Sequence, residues 1–168
     1  MKSKNIVTFL LLCFCVFLPV HGYSAPKKII GETAWITVSE VPFDYLSRID
    51  TGARSTSVHA VNIQVKKGSE KPSENIGKKI SFTSINGAGE SHKISTHIVS
   101  VSTVKNSQGV EQRYVIEMTL SWKGVNKKIE VNLRDRSAMQ YKMLIGRNWL
   151  SNNFLVDVDL KADEKGVE

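Results

Sequence analysis

From Tyr114 to Trp122 every second residue is large and apolar: Tyr114, Ile116, Met118, Leu120 and Trp122. Val115, Glu117, Thr119 and Ser121 fill the other register. After Lys123-Gly124 the alternation resumes, with Ile129, Val131 and Leu133 set against Lys128, Glu130, Asn132 and Arg134. A period of two places each set on one face of a strand, whereas a helix would scatter both around its circumference. This stretch therefore predicts a long hairpin with one buried face, and the rest of the chain must cover that face.

The remaining segments offer strands for the purpose. The apolar share, 41% of 168 residues, is that of a globular chain and excludes wholesale disorder. Val, Ile, Thr and Ser recur between short turns rich in Gly and Asn, so the fold class is all-β. Strands are predicted at Ala34 to Val38, ended by Pro42, and at Leu46 to Ile49. Val61, Ile63 and Val65 alternate with polar residues as a half-buried strand does. Lys66 to Lys79 reads as an exposed loop. Ile80 to Ile85 and a long strand from Lys93 to Val104 flank Asn86-Gly87, a tight-turn signal in which both central residues favour positive φ. Met143 to Ile145 is a short strand, Arg147 to Asn152 one or two helical turns, and Phe154 to Val158 a last strand. Lys161 to Glu168 is a charged, fraying tail. No internal repeat or low-complexity segment interrupts this single domain, 26–160.

The N-terminus alters the charge argument. Lys2 and Lys4 precede an uncharged, mainly apolar run from Ile6 to Val20, and small or polar residues follow at Gly22, Ser24 and Ala25. This is the pattern of a secretory signal peptide over 1–25. The run is short for a membrane span, which needs roughly 20 apolar residues; an uncleaved signal anchor in the inner membrane is the alternative. Cleavage would remove both cysteines, Cys13 and Cys15, and would lower the formal charge from +7 to +5. A periplasmic or secreted chain without disulfides must rely on its core. The remaining lysines are dispersed in turn-side pairs (Lys66-Lys67, Lys78-Lys79, Lys127-Lys128) with no aromatic stacking platform, which argues against nucleic acid.

Two short segments carry chemistry. Asp50-Thr51-Gly52-Ala53 follows an apolar strand end, so its carboxylate is exposed but rigidly based. Thr51 can fix the turn, and Gly52 admits a close backbone approach. By itself this is also what an ordinary Asp-Gly turn looks like. The second segment, Leu144-Ile145-Gly146-Arg147-Asn148-Trp149-Leu150, is an apolar strand, a Gly and a short helix. Together the two segments resemble the retropepsin fold of aspartic proteases. A closer resemblance is to a bacterial retropepsin-like family often labelled "ATP-dependent zinc protease" and in part associated with RimK-type glutamate ligases. It is carried by Ile49-Asp50-Thr51-Gly52-Ala53-Arg54 with Ser55, Ser57 and His59-Ala60. Val104-Lys105-Asn106-Ser107 with Gly109, Asp135-Arg136-Ser137 with Met139, Leu144 to Arg147 and Phe154 to Val158 complete it.

The resemblance implies a closed β-barrel with one short C-terminal helix. It implies an aspartic endopeptidase in which Asp50 is catalytic and Thr51, Gly52 and Ala53 form the active-site loop. Asn106, Ser107, Gln108 and Gly109 would be the tip of a flap, and Ile145, Gly146 and Arg147 would support the loop. One Asp-Thr-Gly supplies half of a two-carboxylate site, so a homodimer acting on a peptide is expected. In viral relatives an acidic residue soon after the loop pairs with the Arg of the Gly-Arg segment. Here Arg54, Ser55 and Thr56 stand there, so Arg147 must find another partner, Asp135 or Asp157. The extra length relative to viral enzymes is expected in Asn62 to Val99. Lys142 replaces a usual Pro, which is expected to matter little.

No cofactor is expected. The chain lacks a Gly-x-x-x-x-Gly-Lys-Ser/Thr loop for ATP. His92 and His97 lie five residues apart and point to opposite strand faces, and no His-Glu-x-x-His is present, which argues against zinc. Ser55 and Ser57 near His59 read as a polar turn, not a nucleophilic triad, since no Gly-x-Ser-x-Gly occurs. The alternative to an enzyme is a non-catalytic peptide- or partner-binding module of the same fold.

Overall fold

A computed structural model describes residues 26–106 and 109–162. The strands are β1 (Lys28–Ile30), β2 (Thr33–Val38), β3 (Asp44–Ile49), β4 (Thr56–His59), β5 (Val61–Val65), β6 (Lys79–Ile85), β7 (Ser91–His97), β8 (Ser100–Asn106), β9 (Gly109–Trp122), β10 (Val125–Arg134), β11 (Met143–Ile145) and β12 (Phe154–Val156). One short helix, α1 (Arg147–Leu150), and a 3-10 turn at Pro72–Asn75 complete the described elements. The order β10-β4-β11-β3-β2-β9 closes into a ring because β9 also pairs with β10, and β8 extends the sheet beyond β9. This is the closed retropepsin-like barrel that the resemblance implies. Among the described residues no helix is long and apolar enough to cross a membrane.

The β9–β10 hairpin forms the backbone of the ring. Lys123 and Gly124 both adopt positive φ, 41° and 81°, between the paired residues Trp122 and Val125. Ile116, Met118, Leu120 and Val131 are wholly buried, which confirms the face read from the alternation. The predicted strands around Ala34, Leu46, Ile80 and Met143 are present, and so is the helical turn after Gly146. β1 and β12 pair in parallel beside the ring, and Trp149 of α1 stacks on Phe154 with ring centroids 4.4 Å apart.

Five expectations need correction. The strand predicted from Lys93 to Val104 is two strands in two sheets: the Ile98 N–H bonds Lys78 O and the Val99 N–H bonds Val115 O, so the chain changes partners there. The sheet that holds β7 is three-stranded, β5-β6-β7. Within β5 the alternation fails, because Asn62 has a φ of 54° and the register shifts between Val61 and Gln64, leaving Ile63 38% exposed. The Asn86-Gly87 turn is a longer loop in which Gly89, not Asn86 or Gly87, has positive φ; the buried Asn86 side chain accepts the Ala88 and Glu90 N–H groups, both at 3.0 Å. The loop after Lys66 is not wholly exposed, since Asn75 is buried and donates to Tyr114 Oη at 2.7 Å. Lastly, the supposed polar turn at Ser55 to His59 contains β4, a strand buried along its whole length between β10 and β11.

Candidate active site

β3 and β11 run parallel, with Ile49 opposite Ile145, and the chain leaves both at the same level. The Asp50 N–H continues the ladder to Ile145 O at 2.9 Å. The carboxylate then turns the chain on itself: Asp50 Oδ1 accepts the Gly52 N–H at 2.9 Å and the Ala53 N–H at 3.1 Å. One oxygen is thus used to shape the loop, while Oδ2 carries no hydrogen bond among the described residues. Thr51 and Gly52 lie on the surface.

Behind the loop sits a network of polar side chains. The Thr56 N–H and Oγ1 both donate to Asn148 Oδ1 at 2.9 Å, and Thr56 Oγ1 accepts the Gly146 N–H at 3.2 Å. Asn148 Nδ2 donates to Glu130 O at 2.7 Å. Asn132 Nδ2 reaches Thr56 O at 2.7 Å, and Asn132 Oδ1 accepts from Arg113 at 3.2 Å. Gly146 allows this closeness, because a Cβ there would lie 2.5 Å from the Ser55 carbonyl carbon. The Arg147 N–H bonds Ala53 O at 2.9 Å.

Arg147 pairs with neither Asp135 nor Asp157. Its guanidinium donates to Thr51 O at 2.9 Å and Gly52 O at 3.0 Å, so the loop's own carbonyls replace the missing acidic residue. Lys142 does more than a substituted Pro would. Its ammonium donates to the carbonyls of Arg136, Ser137 and Met139 at 3.2, 2.8 and 2.8 Å and winds that segment around itself.

A groove of about 860 Å³ runs from Ala53 between β10 and β8. Four arginines line it: Arg54, Arg113, Arg134 and Arg136. Glu111 sits 2.5 Å from Arg113 and 3.8 Å from Arg134 and balances them in part; the Arg113 hydrogen bond holds the Glu111 carboxyl below its ordinary range. Ser57 Oγ, Ser102 Oγ and Arg113 Nε are buried without partners, and all three residues line the groove. β8 supplies the far wall and pairs with β9 up to Asn106 opposite Gly109. Ser107 and Gln108, at the tip of the expected flap, lie outside the described residues, as do residues 1–25 of the expected signal.

The structure therefore brings Asp50, Thr51, Gly52 and Ala53 together with Ile145, Gly146 and Arg147. Sequence reasoning gave no role to Thr56, Asn132, Asn148 or Arg136. Asn132 stood in the polar register of its strand, and only the pairing of β10 with β4 buries it. Among the described residues no group of three or more His, Cys, Asp or Glu side chains is placed to hold a metal.

A closed β-ring carrying one Asp-Thr-Gly loop, with a Gly-Arg helix start at its back, defines the retropepsin-like class. Residues 29–164 match the family described as "RimB-like: Retropepsin-like aspartic endopeptidase RimB", and the chain belongs to that family. It is similar to proteins named "Probable alpha-L-glutamate ligase". The one from Shewanella halifaxensis is 34% identical over 137 residues, 78% of this chain and 28% of the relative. The one from Desulfotalea psychrophila is 32% identical over 144 residues, 81% of this chain and 29% of the relative. The chain thus spans less than a third of these relatives. A Legionella pneumophila protein of unknown function has a similar structure, with a TM-score of 0.66, 28% identity and coverage of 83% of this chain and 100% of that one.

Proposed function

We propose that this protein is an exported aspartic endopeptidase that works as a homodimer, with Asp50 from each of two chains forming the catalytic dyad. The observation that carries this reading is the Asp50 loop: one carboxylate oxygen is fixed by two main-chain N–H groups and the loop tip is open to a partner. Two carboxylates held together cannot both ionise, so they share a proton. The ionised one takes a proton from water as it attacks the peptide carbonyl, and the protonated one hydrogen-bonds the carbonyl oxygen. Thr51 braces the loop against its partner, and the β8–β9 hairpin closes over the bound peptide and excludes water. Export rests on the 1–25 pattern alone.

The groove favours a peptide rich in carboxylates. Arg54 and Arg136 line the groove with no ion-pair partner among the described residues, so a substrate carboxylate there would find a cation to pair with. The relatives are named probable alpha-L-glutamate ligases, a name that agrees with this preference. The test is a digest of a peptide library that includes glutamate-rich members, with wild type beside Asp50→Ala. Cleavage by wild type alone is expected. Cleavage surviving in Asp50→Ala would refute the aspartic mechanism, and no wild-type cleavage between pH 3 and 8 would leave a peptide-binding module.

A further inference from the structure

His59 ends β4 and is 2% exposed. Its N–H donates to Lys142 O at 2.8 Å. Its carbonyl accepts Ser84 Oγ at 2.5 Å, and Ser84 accepts in turn from the Tyr45 hydroxyl at 2.8 Å. Tyr45 stays neutral, since burial pushes its pKa up to about 12. The ring makes the bond of interest: His59 Nδ1 accepts the main-chain N–H of Arg136 at 2.9 Å. A nitrogen that accepts carries no proton, so the imidazole is neutral with its proton on Nε2.

Charged groups surround this ring. Asp135 Oδ1 lies 3.7 Å from Nδ1. Burial holds the imidazole below its ordinary pKa; Asp135 and the Arg134 main chain oppose burial, while Lys142 and Arg136 reinforce it. The residue that the bond positions is Arg136. Its buried guanidinium lines the groove, with Nε donating to Tyr141 O at 2.9 Å. Burial lowers its pKa to about 10, Arg134 and Arg113 add to that, and the Asp50 carboxylate pushes back. Arg136 is thus a buried cation in the wall of the groove that begins at Ala53.

We propose that His59 is a positioning residue for Arg136 in the groove beside the Asp50 loop and the titrating element of a pH latch. Neutral, it holds the Arg136 main chain so that the guanidinium stays in the groove wall, bonded to Tyr141 O. Protonated from solvent, it donates its new Nδ1–H to Asp135 and releases Arg136. The proton turns an acceptor into a donor, so the Arg136 N–H would face another N–H. Asp135 is two-thirds exposed and now accepts the Ser137 N–H at 2.8 Å; a small rotation exchanges that bond for the imidazolium. The folded state binds the neutral ring. The stability this bond contributes is therefore complete above the unfolded imidazole value of about 6.5 and is lost as the pH falls from there through the lower folded value, where the latch itself opens. Only its consequence for cleavage rests on the aspartic reading of Asp50.

The test is a pH titration of the 15N-labelled protein by NMR. His59 Nδ1 is expected to be unprotonated at pH 7 and to protonate below the ordinary imidazole value, and the Arg136 amide is expected to shift with the same midpoint. His59→Asn offers a non-titrating oxygen in place of Nδ1; the Arg136 amide should keep its bonded position and lose the transition, and cleavage should lose the inflection that follows the His59 midpoint. Asp135→Asn, at an exposed position, should move the His59 midpoint lower. An Arg136 amide that stays still while His59 titrates overturns the latch, and so does a protonated Nδ1 at neutral pH. If wild type cleaves nothing, the aspartic reading fails, and the two resonance titrations still decide the latch.

Discussion

The brace behind Asp50 and the β5–β6–β7 sheet hold their residues in different ways. In the brace, Thr56, Asn132, Asn148 and Gly146 bond one another, and β4 is buried from end to end. In the outer sheet β5 slips register at Asn62 and leaves Ile63 on the surface. A buried polar group without a partner costs about 1–3 kcal/mol, so the brace tolerates few alternatives. A strand with one solvated side can bulge at little cost. The loop that presents the carboxylate is thus anchored on the less forgiving half of the molecule.

Substitutions should expose this contrast in urea unfolding. Gly146→Ala is the most damaging, because the new methyl meets main chain that cannot yield; a loss of about 3 kcal/mol is expected. Asn132→Ala leaves Thr56 O and Arg113 short of partners inside the barrel and should cost about 2 kcal/mol. Arg147→Ala frees two carbonyls that water can reach, so a cost of about 1 kcal/mol is expected, with cleavage impaired more than stability as the Thr51–Gly52 tip loosens. Ile63→Asp, in the outer sheet, should stay within about 0.5 kcal/mol of wild type. A larger loss at Ile63 than at Asn132 would dissolve the distinction between the two regions.

The barrel was readable where one face of a strand is buried and the other is wet. Tyr114 to Leu133 shows this, because alternation reports burial directly. β4 escaped for the opposite reason: Thr56, Ser57 and His59 are polar, and only the pairing of both edges with β10 and β11 makes them interior. The Asp50 loop and the Gly146-Arg147 segment were legible as a pair of motifs. The partner of Arg147 was not, since it is main-chain carbonyl, which no residue type announces. Asn132 and Arg136 were hidden likewise, because their roles depend on which strands neighbour them.

A mixing experiment tests the two-chain dyad most directly. Asp50→Asn protein is unfolded and refolded with wild type in varying ratio at constant total concentration, and cleavage of a glutamate-rich peptide is measured. If each active site needs Asp50 from two chains, activity falls as the square of the wild-type fraction, to about a quarter at an equal mixture of randomly paired chains. Activity that falls in simple proportion to the wild-type fraction would mean that one chain suffices and would contradict the account.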